Sequence, residues 1–338
     1  MTTPDQQSVL VALKSALLAS HDIRDADELV MVSRLERRRS TLYFVGTAAQ
    51  PGTTRWVVKQ PRTATRQPDL ASPLTAQAQF DALVVLHGVL NGQDPHFSAP
   101  RPIALLVDAA AFAMEYVEGP SIPQLLDARA ILKPQPLLDA VRAAAALLRV
   151  VHTIEPGRSS FGDPERPANH ALDDGKHVLQ RMGLPLRQSW FDATRRPQHT
   201  QTSVLLHGDF APENVVIATG ATYCLDPALA VRGPRELDVV RFLTMLCDAP
   251  LFIKTLAPGP IGRLRRRMAA EFVESYYGTA GRPTSLEATL VDGIALRWAQ
   301  RHDLIFERRT RAAAAWTMLL RAYFSRLLNE VSSSPQWP

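Results

Sequence analysis

The pattern of apolar and polar residues changes character near residue 117. Residues 7–19 have the spacing of a short helix, and the runs TLYFVGT and TRWVVKQ alternate as strands do around a Pro-Gly turn signal. A helical pattern over 74–90 follows, and two more strand-like runs, IALLVD and AAFAMEYV, complete this part. The pattern therefore predicts a small β-sheet with a packed helix over residues 1–117.

The rest of the chain, residues 118–338, has mainly helical patterns. The segment LLDAVRAAAALLRVVHTI is apolar on nearly all sides, which is typical of a buried central helix. Further helical patterns lie around 173–183, 236–247, 261–277, 285–303 and 308–331. One β-rich island, residues 203–226, interrupts them. We expect an N-terminal lobe over 1–117 and a helical C-terminal lobe over 118–338.

Length and composition exclude several classes of protein. The 338 residues exceed the usual size of one core. No apolar run approaches the roughly 18 residues of a membrane span, and the start MTTPDQQ has no basic region of a signal peptide. The two cysteines, Cys224 and Cys247, have no partners at metal-ligand spacing. We expect no membrane span, disulfide framework or zinc site, and a reducing cytoplasmic location.

The formal net charge is +5, but the arginines are spread along the whole chain. The densest runs are Arg37–Arg39 and GRLRRRM, and no nucleic-acid-binding motif accompanies either of them. We therefore expect no nucleic-acid partner. An arginine-rich surface favours anionic ligands without identifying one.

The β-rich island carries an ordered set of polar residues. His207-Gly208-Asp209 is followed, after four residues, by Asn214, and the strand-like runs VVI and TYCLD then lead to Asp226. A hairpin of these runs would bring Asn214 near Asp226, where an oxygen from each could bind one Mg²⁺. Asp209 would lie one loop turn away, on the side where an acceptor hydroxyl arrives.

Phosphoryl transfer requires groups of this kind. A carboxylate must orient and deprotonate the attacking hydroxyl, and metal ligands must hold the phosphates. Any one of these acids alone could simply cap a turn, but the ordered set favours a chemical role.

The segment HGDFAPENVVI resembles the catalytic loop of the aminoglycoside phosphotransferase/choline kinase family, H-G-D-x4-N followed by apolar residues. LDPALAVRGPRELDVVRF resembles the next motif of that family. The resemblance implies Asp209 as catalytic base, Asn214 and Asp226 as metal ligands, Asp238 as an anchor of the loop and His207 as its brace. Pro-Ala stands where protein kinases have Phe-Gly, which favours a small-molecule kinase.

The resemblance extends, more weakly, to the N-terminal half and covers roughly residues 31–248. Lys59 stands where the family places the lysine that pairs with nucleotide phosphates. AMEYVEG resembles the hinge, which implies that backbone groups of Glu115 and Val117 bind the adenine edge. LLRVVH resembles a family helix in which His152 is a core residue.

Two departures from the family pattern stand out. The loop before the first hairpin, SRLERRRSTLYF, contains no glycine, so Arg37–Arg39 or Ser40 would have to contact phosphate instead. Gln79 occupies the position of the glutamate that holds Lys59, and an amide adds no charge to that contact. Either Lys59 is held differently or turnover is low. These departures favour an alternative, a catalytically impaired pseudokinase that acts as a nucleotide-binding module.

Together the motifs predict an α+β fold of the two-lobed protein-kinase-like type, with the nucleotide between the lobes. The predicted reaction moves the γ-phosphate of ATP, with GTP also compatible, onto a hydroxyl of a sugar, polyol, metabolite or antibiotic, using Mg²⁺. The C-terminal third is arginine-rich, and the one acidic pair near the predicted pocket is Asp173-Asp174. A neutral or anionic alcohol is therefore favoured over a polycationic aminoglycoside. The oligomeric state is left open.

Overall fold

The computed structural model describes most of the 338 residues. The described residues are 6–20, 22–24, 28–37, 40–62, 75–155, 175–185, 187, 203–229, 231–257, 259–283, 285–306 and 312–333. They form two compact units. The first contains the described residues of Met1–Gly119 and Ala218–Ala230, and the second those of Pro120–Pro156, Asp163–Ile217 and Val231–Pro338. The segment that carries Asp226 thus belongs with the N-terminal part of the chain.

The regular elements of this described part are strands and α-helices. The strands are β1 Leu29–Glu36, β2 Ser40–Thr47, β3 Trp56–Pro61, β4 Phe97–Ser98, β5 Pro102–Leu106, β6 Ala111–Glu115, β7 Ser203–Leu205, β8 Val215–Ile217, β9 Thr222–Cys224 and β10 Arg232–Pro234. The helices are α1 Gln6–Ala19, α2 Ala76–Gln93, α3 Ile122–Leu125, α4 Ala128–Leu132, α5 Gln135–Val151, α6 Gly175–Arg181, α7 Glu236–Cys247, α8 Pro250–Thr255, α9 Gly259–Tyr277, α10 Ser285–Phe306 and α11 Ala312–Ser333.

The first unit is built on an antiparallel sheet in the order β1-β2-β3-β6-β5. Helix α1 buries Val9, Leu13 and Leu17, spaced at i, i+4 and i+8, in a cluster with sheet residues such as Tyr43 and Trp56. The predicted hairpin is present as β2 and β3. Strand β3 is the central strand of the sheet, because it pairs with β2 along one edge and with β6 along the other.

Strand β1 has no counterpart in the sequence prediction. It is an edge strand whose burial falls from buried at Leu29 to exposed over its second half. Its pairing with β2 also shifts register between Met31 and Ser33. An exposed edge strand needs no regular apolar alternation, which is why the pattern did not predict it.

The second unit is mainly helical. Helix α5 packs against α9, and α10 packs against α7, α11 and α6. A column of aromatic rings crosses its interior: Phe210 lies 5.6 Å from Phe242, which stacks on Phe272 at 4.0 Å between ring centroids. Because Phe210 directly follows Asp209, this column attaches the loop that carries the predicted base to two buried helices.

Helices α10 and α7 approach closely at Gly293. A Cβ atom at this position would lie 2.4 Å from Val240 Cγ1, well inside van der Waals contact. Glycine therefore permits the two helices to pack at this point. The close approach also places the second half of α10 beside the end of α7.

Among the residues that the structure describes, no helix is both long enough and apolar enough to cross a lipid bilayer.

Candidate active site

The loop between β7 and β8 is fixed by the carboxylate of Asp238 in the first turn of α7. The His207 N–H donates to Asp238 Oδ2 at 2.7 Å, and the Gly208 N–H donates to Oδ1 at 3.0 Å. Gly208 has φ +82°, a left-handed conformation that glycine adopts readily. Asp238 is 2% exposed, so its charge is compensated by these donors and by the positive end of the helix.

A third donor to Asp238 comes from His152, at the end of α5. His152 Nε2 lies 3.0 Å from Asp238 Oδ2, and its Nδ1 lies 2.5 Å from the Tyr276 hydroxyl. Because a carboxylate only accepts hydrogen bonds, Nε2 is the donating nitrogen. Burial raises the pKa of the Tyr276 hydroxyl, which keeps it protonated. The sequence marked His152 as a core residue; its bond to Asp238 was not anticipated.

His207 lies beneath the loop and is fully buried. Its Nδ1 accepts from the N–H of Asp209 at 3.3 Å, and its ring meets that of Phe210 edge-on. The side chain therefore supports the backbone on both sides of Asp209.

The carboxylate of Asp209 is 39% exposed and contacts a guanidinium that the sequence did not predict. Arg241 donates from Nη2 at 2.7 Å and from Nε at 3.2 Å, and both hydrogen bonds end on Oδ1 of Asp209. Arg241 follows Asp238 by three residues on α7 and so shares its helix face. That spacing after the anchoring aspartate was the available sequence signal.

Asn214 is buried at the end of the same loop. Its Nδ2 donates to the backbone oxygen of Asp209 at 2.9 Å. The bond joins the two ends of the segment between Asp209 and Asn214. It also occupies the amide nitrogen, so Oδ1 is the atom suited to bind a cation.

In the first unit, Lys59 on β3 forms an ion pair with Asp226. The Nζ atom lies 2.9 Å from Asp226 Oδ1, and the lysine side chain is 11% exposed. Asp226 follows β9 and has φ +54°, a left-handed conformation that aspartate tolerates better than bulkier residues do. A strained backbone of this kind is common at functional sites.

The Lys59–Asp226 pair answers a question that the sequence left open. Gln79 was placed opposite Lys59, where it would offer an amide and no charge. In the structure Gln79 is half-buried on α2, and the carboxylate that holds the lysine is that of Asp226. Of the two alternatives that the sequence left open, this ion pair matches the one in which Lys59 is held differently.

The other predicted nucleotide contacts lie in the first unit. Ser40 begins β2 and is buried, and Val117 lies half-buried after β6. The Glu115 N–H donates to the Arg101 carbonyl oxygen at 2.9 Å, so this N–H is already engaged. The roles of these three residues stay predictions. Of the arginine run, Arg37 is exposed.

Several predicted positions lie outside the described residues: Arg38, Arg39, Asp173 and Asp174. Within the described part, no group of three or more His, Cys, Asp or Glu side chains is arranged to hold a metal ion.

The second unit contains a cavity of about 220 Å³ beside the loop. We call it the arginine cavity; its walls include Pro212 and Glu213 from the loop, Asp248 after α7, and Arg297 and Arg301 from α10. Both arginines bond to Asp248, with Arg297 Nε at 2.6 Å and Arg301 Nε at 2.8 Å from Oδ2. The sequence did not predict this group, because its members are far apart in the chain.

Burial lowers the pKa of the Arg297 guanidinium below its ordinary value, since the charged form loses solvation. Asp248 acts in the opposite direction, while the neighbouring Arg301 and Arg241 lower the pKa further. The loss of solvation is the largest of these causes.

Comparison with known proteins places the fold. The model of the APH phosphotransferase enzyme family matches residues 32–270, more than half of the chain. No curated protein sequence matches. A solved structure from Ralstonia eutropha JMP134, assigned as an aminoglycoside phosphotransferase, aligns with a TM-score of 0.59 at 12% identity, covering 98% of this chain and 99% of that one.

Two further solved structures share the fold. A choline/ethanolamine kinase family protein from Mesorhizobium loti aligns with a TM-score of 0.54 at 13% identity, covering 98% of this chain and 96% of that one. A glucosamine kinase aligns with a TM-score of 0.51 at 18% identity, covering 97% of this chain and 86% of that one. The predicted α+β protein-kinase-like fold is confirmed. With the family match, these findings show that the chain belongs to the APH phosphotransferase enzyme family.

Proposed function

We propose that the protein transfers the γ-phosphate of ATP to a hydroxyl group of a small molecule, with Asp209 as the catalytic base. The observation that carries this proposal is the partly exposed Asp209 carboxylate on a loop fixed by Asp238, His207 and Asn214. Membership in a phosphotransferase family supports the same reaction class. A positioned carboxylate within reach of solvent is what general-base catalysis at a hydroxyl requires.

In the proposed step, Asp209 accepts the proton of the acceptor hydroxyl. The acceptor oxygen forms a bond to the γ-phosphorus, and the bond from that phosphorus to the β–γ bridging oxygen breaks, leaving ADP. Arg241 holds Oδ1 of Asp209 from two nitrogens and so fixes the orientation of the carboxylate. Orientation matters here because phosphoryl transfer depends mainly on positioning and on charge.

The donor atoms suit Mg²⁺. Asn214 would bind through Oδ1, since Nδ2 is bonded to the Asp209 backbone, and Asp226 would bind through its carboxylate. Magnesium is commonly held by one or two protein oxygen ligands, with phosphate and water oxygens completing the site. When bound, Mg²⁺ would neutralise charge on the transferring phosphate.

Lys59 would hold nucleotide phosphates. Its present partner, Asp226, keeps the ammonium in place on β3 when nucleotide is absent. Because the N–H of Glu115 is bonded to Arg101, the adenine edge would rely on the Glu115 carbonyl and on Val117. Ser40, at the start of the neighbouring strand β2, is proposed at the phosphate end, and GTP would use the same phosphate contacts.

The alternative is a nucleotide-binding module without transfer activity. It draws support from the glycine-free stretch before β2. Its other argument was the missing partner of Lys59, and the Lys59–Asp226 ion pair removes that argument. Retention of Asp209, Asn214 and Asp226 together favours the enzyme.

The test is Mg²⁺-dependent ADP release from ATP, measured for wild type and for Asp209→Asn. The change keeps the shape of the side chain but removes the base, so release should fall by about 10²- to 10⁴-fold. ATP affinity, measured by calorimetry, should stay within about threefold. Asp139→Asn, an exposed aspartate of α5 paired with Arg142, is the matched control and should match wild type. Wild-type turnover in Asp209→Asn would show that another group is the base.

A further inference from the structure

The size of the arginine cavity limits what it can bind. Its volume is about 220 Å³, whereas pockets for drug-sized ligands occupy roughly 300–1,000 Å³. Apolar and polar groups share its walls, since Ile122, Leu126 and Met245 line it together with Arg297 and Arg301. The cavity therefore has room for a small metabolite, a few carbon atoms long.

The charge of the cavity is unbalanced. The side chain of Asp248 is 1% exposed, that of Arg297 is 15% exposed and that of Arg301 is 35% exposed. Two guanidiniums carry ten N–H donors between them, and one carboxylate accepts about four hydrogen bonds. One arginine is enough to neutralise Asp248, so the second leaves a positive charge at the cavity wall.

Glu213 is the other acid of the lining, and it does not restore the balance. Its side chain is exposed to solvent on the loop, where water screens its charge. The buried part of the cavity, around Asp248 and the arginines, keeps an excess of positive charge. An anionic group entering there would gain charge-assisted hydrogen bonds from a guanidinium already held in place.

The cavity also lies beside the proposed base. Pro212 and Glu213 belong to the segment between Asp209 and Asn214. On α7, Arg241 and Met245 are followed by Asp248 at the helix end, at spacings i, i+4 and i+7 that share one face. Arg241 bonds to Asp209, and Met245 and Asp248 line the cavity. About 10 Å of helix therefore separates the level of the base from that of the arginines.

We infer that the acceptor is a small alcohol with an anionic group, a carboxylate or a phosphate ester, which Arg297 and Arg301 bind in the arginine cavity. That this molecule is the phosphate acceptor rests on the proposed phosphotransferase function. That the cavity binds an anion rests on the cavity alone. With its anion on the arginines, such a molecule extends along α7 and presents a hydroxyl toward Asp209.

The test uses four three-carbon compounds that share a vicinal diol and differ at the remaining carbon: glycerol, glycerate, glycerol 3-phosphate and 3-amino-1,2-propanediol. Their affinities for the full chain are measured by calorimetry at about pH 7.5 in moderate salt. At least one anionic member should bind about tenfold or more tightly than glycerol, and the amine should bind more weakly still. Glycerate and glycerol 3-phosphate distinguish a carboxylate from a phosphate ester.

Arginine variants test whether Arg301 causes the preference for anionic compounds. Arg301→Gln removes the positive charge while Arg297 still pairs with Asp248, so the anion preference should fall below about threefold. Arg301→Lys keeps the charge and should retain a preference. Arg267→Gln removes an exposed arginine of α9 that pairs with Glu271, away from the lining, and should behave as wild type. Melting temperatures of all variants establish that they are folded.

The outcomes separate the two proposals. Equal affinities across the four compounds, or a preference that Arg301→Gln does not reduce, overturns the anion site. If the preference is present but ATP gives no ADP under any condition, the phosphotransferase proposal fails and the anion site stands. If ADP release is stimulated equally by glycerol, the amine and the anions, the enzyme stands and the inference about its acceptor is wrong.

Discussion

Replacing Asp238 by alanine should destabilise the second unit strongly. Its buried carboxylate accepts from the backbone N–H groups of His207 and Gly208 at 2.7 and 3.0 Å and from His152 Nε2 at 3.0 Å. Asp238→Ala removes the acceptor for all three donors and leaves them in an interior that excludes water.

The magnitude follows from these contacts. Hydrogen bonds to a charged group contribute about 1.5–3 kcal/mol each, but truncation also removes the cost of burying the carboxylate. Breaking a buried charged network by deleting one partner typically costs about 3–5 kcal/mol, and we expect about 4 kcal/mol here. At about 2–4 °C per kcal/mol for units of this size, the melting temperature should fall by about 8–16 °C.

The free energy of unfolding is measured by urea titration, monitored by both tryptophan fluorescence and circular dichroism, provided that the two transitions coincide. Asp238→Asn distinguishes charge from shape, because its amide oxygen can replace only one acceptor position while its NH₂ faces another donor. We expect Asp238→Asn to lower the free energy of unfolding by at least half as much as Asp238→Ala does.

Asp139→Ala is the matched control, since Asp139 is an exposed aspartate in the same unit and its pair with Arg142 is at the surface. It should change the free energy of unfolding by less than about 0.5 kcal/mol. A loss below about 1 kcal/mol in Asp238→Ala would refute the reasoning, because the loop would then be held by something other than this carboxylate.

Three further predictions follow. Asp226→Ala should abolish the effect of Mg²⁺ on ATP affinity, measured by calorimetry with and without the metal; an equal effect in a variant of the loop anchor would contradict the assignment. Gly293→Ala gains about 1 kcal/mol of helix propensity but forces its Cβ against Val240, at about 1–3 kcal/mol, so urea should unfold it more easily. A stabilised variant would mean that the helices can separate freely. Gln79→Glu should alter ATP affinity by less than about twofold, because Lys59 already has a carboxylate partner. A large gain in ATP affinity would indicate that an acid at position 79 pairs with Lys59, as in the family pattern.

The parts of the site that the sequence predicts are those that are close together along the chain. His207, Asp209 and Asn214 lie within one loop, and the resemblance of HGDFAPENVVI to the family's catalytic loop implies a role for each of them. The helices of the second unit could also be predicted from the sequence, since each depends on the periodicity of a single segment.

The missed residues are those whose partners lie far away in the sequence. Arg241 pairs with Asp209 across 32 residues, and Arg297 and Arg301 reach Asp248 across 49 and 53 residues. Periodicity tells which face of a helix is apolar, but not which helix it will meet. For this reason nothing in the sequence indicates that Asp248 meets two arginines.

The return of Ala218–Ala230 to the first unit has a consequence for biosynthesis. Strand β4 pairs in parallel with β9, and Lys59 meets its counter-charge on Asp226. Domains that are continuous in sequence can fold while the ribosome is still adding the next one. Here all five strands of the N-terminal sheet lie before residue 116, but the carboxylate that pairs with Lys59 and the strand that pairs with β4 are made about 100 residues later. A fragment ending before Ala218 would contain every strand of that sheet and still lack both of these contacts.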